Sequence, residues 1–265
     1  GAAGVVTIAT LMVDETTSID IVVTLLLLGS AVLLWLAPSM DDRDLFGQRL
    51  DGSDLAAAAV TIAGTAALAR AAALLVEGSE LVLVAALVLA VALGTRLLRQ
   101  ERWRRGPVAG AAAVGGIVAA LAGWGALGAA VGVIQAASPL WKADLGQQWS
   151  QTAGEYAVFG TQVPITLFLL AAAAAVAMPK PVGDDVAAVL AGLAAVSVPV
   201  AFQLGWAAPL VIGLMATLAF GLAAVIAWNP RTGFTRLGVG AAIGIHTSAA
   251  SLCEPSATAG TLLGM

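Results

Sequence analysis

RLLRQERWRRGP, Arg96 to Pro107, is the stretch from which the whole chain can be oriented. It carries five of the ten arginines, Arg96, Arg99, Arg102, Arg104 and Arg105, and stands between two long apolar runs nearly free of charge. Short loops rich in Lys and Arg stay on the cytoplasmic side of a membrane, so this loop sets the direction in which its neighbours cross. Composition agrees. Of 265 residues, 60% are hydrophobic and 11% charged, with a mean hydropathy of +0.97, whereas a soluble domain carries about 25% charged residues.

Apolar runs of about 20 residues recur along the chain, each long enough to cross roughly 30 Å of hydrocarbon. Stretches such as LVLVAALVLAVAL (81–93) have no polar face at helical spacing, which excludes a soluble helical protein. The short alternating segments of an outer-membrane barrel are absent as well. The fold class read from the sequence is therefore all-α, a polytopic transmembrane bundle of about eight full spans. A single cysteine, Cys253, excludes an internal disulfide and any CxxC motif. The net charge of -4 arises in loops and says little about partners.

Working outward, residues 1–12 (GAAGVVTIATLM) are apolar but reach only about 18 Å as a helix. They read as the tail of a preceding transmembrane helix, and the lack of a basic start argues against a signal peptide. A first four-helix unit is expected over 13–140, an outer polar or interfacial link over 141–155, a second four-helix unit over 156–253, and the start of a further unit over 254–265. The apolar stretch after Pro107 ends near Leu140 and is longer than one upright helix needs. It reads either as one tilted helix or as a span to about Trp124 followed by a re-entrant piece, broken at Gly123-Trp124-Gly125.

Charge placement tests the threading. With the arginine cluster inside, the loops at 39–53, 179–185 and 229–236 fall on the same side, and these four loops hold ten of the twelve Lys and Arg residues. Counting 107–140 as two crossings would move Lys180, Arg231 and Arg236 outside, so the count favours one crossing there. Six of the seven tryptophans fall at expected membrane boundaries, as an aromatic belt requires.

Internal similarity adds a second organising signal. DGSDLAAAAV (51–60) resembles VGDDVAAVLA (182–191), and GAAVGVIQAASPLW (128–141) resembles GAAIGIHTSAASLC (240–253). SATAGTLLG (256–264) likewise resembles SQTAGEYAVFG (150–160). The simplest account is a four-helix unit seen twice, and an even number of crossings makes the copies parallel. On this reading the chain is a segment of something longer.

A chain with ten Arg to two Lys, with PRTGFTR (230–236) and GAAIGIHTSAASL (240–252) among repeated helical units, resembles the very long multi-pass membrane proteins of actinobacteria. That resemblance implies a plasma-membrane location. GEYAVFGTQVPITLFL (154–169) is similar to a helix of multi-pass glycosyltransferases that use lipid-linked sugars. This second resemblance implies an acidic residue in an outer loop, for which Asp14 with Glu15 is the adjacent pair, alongside Asp20, Asp144 and Glu155.

Several residues are candidates for chemistry. Arg70 is the one basic residue inside an apolar run, and an intramembrane charge marks a functional candidate; snorkelling toward Glu77 or Glu80 is the structural alternative and the favoured one. His246, the single histidine, lies beside Thr247 and Ser248 and suits either a proton relay or, as favoured, hydrogen-bonded packing. Gln162 with Pro164, and Gln203 with Pro199, pair an amide with a helix breaker whose freed carbonyls could line a pathway. Gly128 with Gly132, and Gly240 with Gly244, have the small-xxx-small spacing of close helix contacts. Arg99, Arg102, Arg104 and Arg105 suit anionic lipid headgroups.

No metal, cofactor or nucleotide motif is present, no catalytic residue is assigned, and a loop of this size is too small for nucleic acid. The expected partners are membrane lipids, with other membrane subunits or further copies of the repeat. The function expected is a non-enzymatic transport, channel or scaffold module of the cell envelope; the alternative is a segment of a lipid-handling enzyme such as a lipid-linked glycosyltransferase.

Overall fold

A computed structural model describes residues 43–45, 48–50, 52–73, 79–98, 101–143, 149, 151, 155 and 159–264. The expectations for 1–40, including Asp14, Glu15 and Asp20, lie outside the described residues, as do those for Glu77, Arg99 and Asp144. The described chain is helical apart from one short hairpin: β1 (Arg43–Leu45), β2 (Gln48–Leu50), α1 (Gly52–Ala73), α2 (Glu80–Leu97), α3 (Glu101–Ala136), α4 (Gln162–Ala177), α5 (Val182–Ala201), α6 (Ala208–Val225), α7 (Pro230–Ser251) and α8 (Pro255–Gly264). Glu80–Leu97, Arg104–Ala136, Val182–Ala201 and Ala208–Val225 are long and apolar enough to cross a membrane, and Asp54–Ala69 and Gln162–Ala177 are shorter apolar helices.

Of the two forms read for the stretch after Pro107, the structure has the single helix and not the broken one: α3 runs unbroken from Glu101 to Ala136, through Gly123-Trp124-Gly125. Three boundaries differ from the sequence reading. Much of the arginine cluster is helical, with Pro107 inside α3, where it leaves the Trp103 carbonyl without its helical N–H. PRTGFTR, expected as a loop, forms the first two turns of α7: Pro230 occupies an early position that needs no N–H, and Asn229 accepts from the Arg231 backbone N–H at 2.9 Å as the N-cap. The hairpin pairs Arg43 with Leu50 inside what was expected to be a plain loop, and Gly52 follows directly as the first residue of α1.

The chain divides into two compact units, one taking residues up to Val118 with Val176–Met178, the other Ala119–Ala175 with Pro179–Met265. In the first unit α1 packs on α2. Ala85, Val88, Ala92 and Thr95 line the buried stripe of α2 at steps of three and four residues. The start of α3 lies directly on α1. A β-carbon at Gly106 would come 2.5 Å from the Asp54 carbonyl oxygen, and one at Gly110 2.5 Å from that of Ala58. No residue larger than glycine fits either place without moving backbone.

In the second unit α6 and α7 form the most extensive pair, with α5 against both. The same device recurs: a β-carbon at Gly192 would strike Val239, one at Gly213 would strike Thr247, and one at Gly240 would lie 3.1 Å from Phe220 Cβ. Ala129 and Val133 of α3, Val200 of α5 and Ala250 of α7 form a core at one end, closed by Trp149 and Leu210.

Substituting Gly110→Leu forces apart two helices that touch through backbone, and overpacking of this kind costs about 1–3 kcal/mol. We expect a lowered thermal unfolding midpoint in detergent. Gly128→Ala meets nothing within 4 Å and should leave the midpoint unchanged or raise it, since alanine gains up to about 1 kcal/mol over glycine in a helix.

Candidate functional site

Within each unit, charged side chains near helix ends bond to backbone or to another charge. The last four carbonyls of a helix have no partner within it. Arg96, in the last turn of α2, donates through Nε to the Val176 carbonyl at 2.9 Å, near the end of α4. Arg236 donates through Nη1 to the Ala223 carbonyl at 2.9 Å, in the last turn of α6. Both arginines therefore close the C-terminal end of a neighbouring helix, where the helix dipole also favours a cation.

At the starts of α5 and α7, Arg231 Nε donates to Asp185 Oδ2 at 3.0 Å. Lys180 approaches Asp184 at 3.5 Å. The two partners of the first pair differ in exposure: the Arg231 side chain is 64% exposed and that of Asp185 only 12%. Asp185 Oδ1 is buried without a hydrogen-bond partner.

His246 is half-buried in a small cleft with Ala195, Val196, Pro199, Pro209, Gly213 and Ile243. The cavity is about 10 Å³, room for one water. Pro199 has no N–H to offer the Ala195 carbonyl four residues earlier, so the imidazole shares its cleft with the residue whose carbonyl is relieved of its helical bond. The hydroxyls around it turn back on their own helices: Thr247 to Ile243 at 2.8 Å, Ser248 to Gly244 at 3.0 Å, Ser251 to Ser248 at 2.7 Å and Ser197 to Ala194 at 2.9 Å. None of these bonds reaches a ligand space.

Gln203 stands at the end of α5 with φ +50° and an exposed side chain. Its N–H bonds to the Val200 carbonyl at 3.1 Å, and the Leu204 N–H to the Pro199 carbonyl at 2.9 Å, the paired arrangement that stops a helix with a left-handed residue. The Trp149 indole N–H then takes the Leu204 carbonyl at 2.7 Å. Gln162 is half-buried at the first residue of α4, and Pro164, fully buried, sits in its first turn, where proline breaks no bond.

Arg70 lies in the final turn of α1, with its side chain outside the described residues, as is that of Arg102. Arg105 is exposed, and Arg104 half-buried with its Nε buried and unpartnered. Gly128 is half-buried, whereas Gly132, Gly240 and Gly244 are buried. Sequence reasoning passed over Gly106, Gly110, Gly192 and Gly213, although the four-residue spacing of Gly106 and Gly110 was a legible signal. Among the described residues no cluster of His, Cys, Asp and Glu could hold a metal. Burial pushes the Cys253 thiol up, away from the thiolate that a nucleophile needs.

Comparison with family models, with curated proteins and with solved structures finds no match to this chain.

Two substitutions test these assignments by unfolding in detergent. Gln203→Gly relieves a left-handed conformation that glycine adopts freely, and should stabilise by up to about 1 kcal/mol. Arg236→Gln leaves the Ala223 carbonyl without its charged donor and should cost about 1–2 kcal/mol.

Proposed function

We propose that this chain is a non-enzymatic membrane module of the cell envelope, working as a scaffold whose helices pack on one another and on membrane partners. The observation that carries the reading is the closeness of the helix crossings. At Gly106, Gly110, Gly192 and Gly213 a single added carbon would collide with the neighbouring helix, and the hydroxyls between α5 and α7 are spent on their own backbone. A transport pathway needs polar groups turned toward a space; the cleft beside His246 admits about one water.

The module is placed in the plasma membrane with its arginine-rich ends in the cytoplasm, following the distribution of Lys and Arg. Its threading is about eight full spans in two parallel four-helix units with partial helices at both ends. One contact supports parallel copies: the Trp141 N–H bonds to the Leu252 carbonyl at 2.8 Å, joining equivalent ends of the two similar segments 128–141 and 240–253. Resemblance to the long multi-pass proteins of actinobacteria agrees with this arrangement, and further membrane subunits or copies of the repeat are the fitting partners.

The test is accessibility of introduced thiols to a water-soluble, membrane-impermeant reagent, in a Cys253→Ser background. Ala194→Cys and Ala126→Cys, at positions 0% and 1% exposed, should stay unlabelled in folded membranes. Lys180→Cys should react in inside-out vesicles and not in sealed cells. Labelling at 194 or 126 would reveal a water-filled pathway and replace the scaffold with a transporter; labelling of 180 from outside would reverse the orientation.

A further inference from the structure

We propose that α7 carries a site for one anionic phospholipid of the inner leaflet, its phosphate on Arg231 and an acyl chain lying along the helix below. The proposal rests on the membrane reading above.

Arg231 heads a stripe of exposed residues, Phe234, Gly238, Ala241 and Ile245, spaced by three or four and so on one face of α7. The opposite face, with Thr232, Gly240, Ile243 and Thr247, is buried. From Arg231 to Ile245 the helix rises about 21 Å, more than the roughly 15 Å depth of one leaflet's hydrocarbon. Phe234 stands out from the helix with 74% of its surface exposed, and at Gly238 even a β-carbon would meet nothing within 4 Å. The stripe is thus a shallow track beginning at a guanidinium and running downward along apolar surface.

The guanidinium is held for such a task. Its Nε is engaged by Asp185 Oδ2, which fixes the plane and leaves both terminal nitrogens free of any hydrogen bond among the described residues. The ion pair is asymmetric: the carboxylate is sunk, with Oδ1 buried, and the cation faces outward. Lys180, 73% exposed beside Asp184, lies outside α7, and Arg236 is turned onto the Ala223 carbonyl, so on α7 Arg231 is the exposed cation at the head of the track. A second copy of this chain fits worse. Membrane proteins share one orientation, so pairing this face with itself would set one Arg231 against the other without an acid in the stripe to offset them.

The test is native mass spectrometry of the full chain released from detergent, titrated with phosphatidylglycerol or phosphatidylcholine. Wild type should retain one phosphatidylglycerol in preference to phosphatidylcholine. Arg231→Gln should weaken that retention about fivefold, the effect of one basic residue near an anionic surface. Gly238→Leu should weaken it too by filling the track, and Ala241→Leu serves if Gly238→Leu does not fold. Equal retention of phosphatidylglycerol by wild type and Arg231→Gln overturns the proposal, as does displacement of the lipid by millimolar inorganic phosphate, or a dimer that Arg231→Gln strengthens. Release of the chain from membranes by alkaline wash without detergent would instead defeat the membrane reading itself.

Discussion

A helix surrounded by hydrocarbon gains little by covering another apolar side chain, because lipid tails cover it as well. What remains to hold helices together is the fit of surfaces and the satisfaction of polar groups. The fit here is made by removing side chains. Gly106 and Gly110 bring α3 onto the backbone of α1, and Gly213 gives its place to Thr247. The buried positions of α3, Ala111, Val118, Ala122, Ala126, Ala129, Val133 and Ala136, are small for the same reason. The abundance of Ala and Gly is thus what packing in this solvent demands.

Polar satisfaction follows the same economy. Several hydroxyls in the helices bond to carbonyls a turn earlier, as Thr61 does to Ala57 and Thr65 to Thr61, whereas the buried Thr166 and Thr217 hydroxyls have no partner among the described residues. Helix ends cannot be served this way, and there the chain spends its arginines. Arg96 and Arg236 each reach the last turn of another helix. A basic residue at a helix end, on this view, carries two messages at once: it resists crossing a bilayer, and it seals a helix that ends beside it.

Much of this was legible because apolar runs and charge clusters are strong signals. The core of α2 falls where the apolar run 81–93 placed it. Ends were less legible: charge marks where a membrane stops, and a helix need not stop there. Glu101 to Arg105 and Pro230 to Arg236 look like loop by polarity and are helical by capping and propensity. Glycine spacing was legible only as a possibility. Gly128 has the spacing and open space around it, Gly106 and Gly110 have the spacing and a partner, and only the opposing helix distinguishes them. Gln203 reads as an amide paired with the helix breaker Pro199; the positive φ that makes it a helix stop is invisible in the sequence, because glutamine is a rare choice for that conformation.

The span from Arg104 to Ala136 is 33 residues long, and its uncharged part from Gly106 onward runs for about 46 Å. Leaning at 40°, the steep end of the usual range, it would still stand about 36 Å tall in an oil layer of roughly 30 Å. The surplus has to be clothed, either by stretching the surrounding lipid into a thickened collar or by docking against other protein. Each ångström left uncovered costs a fraction of a kcal/mol, so this one helix biases the molecule toward thicker patches of membrane and toward neighbours of equal height.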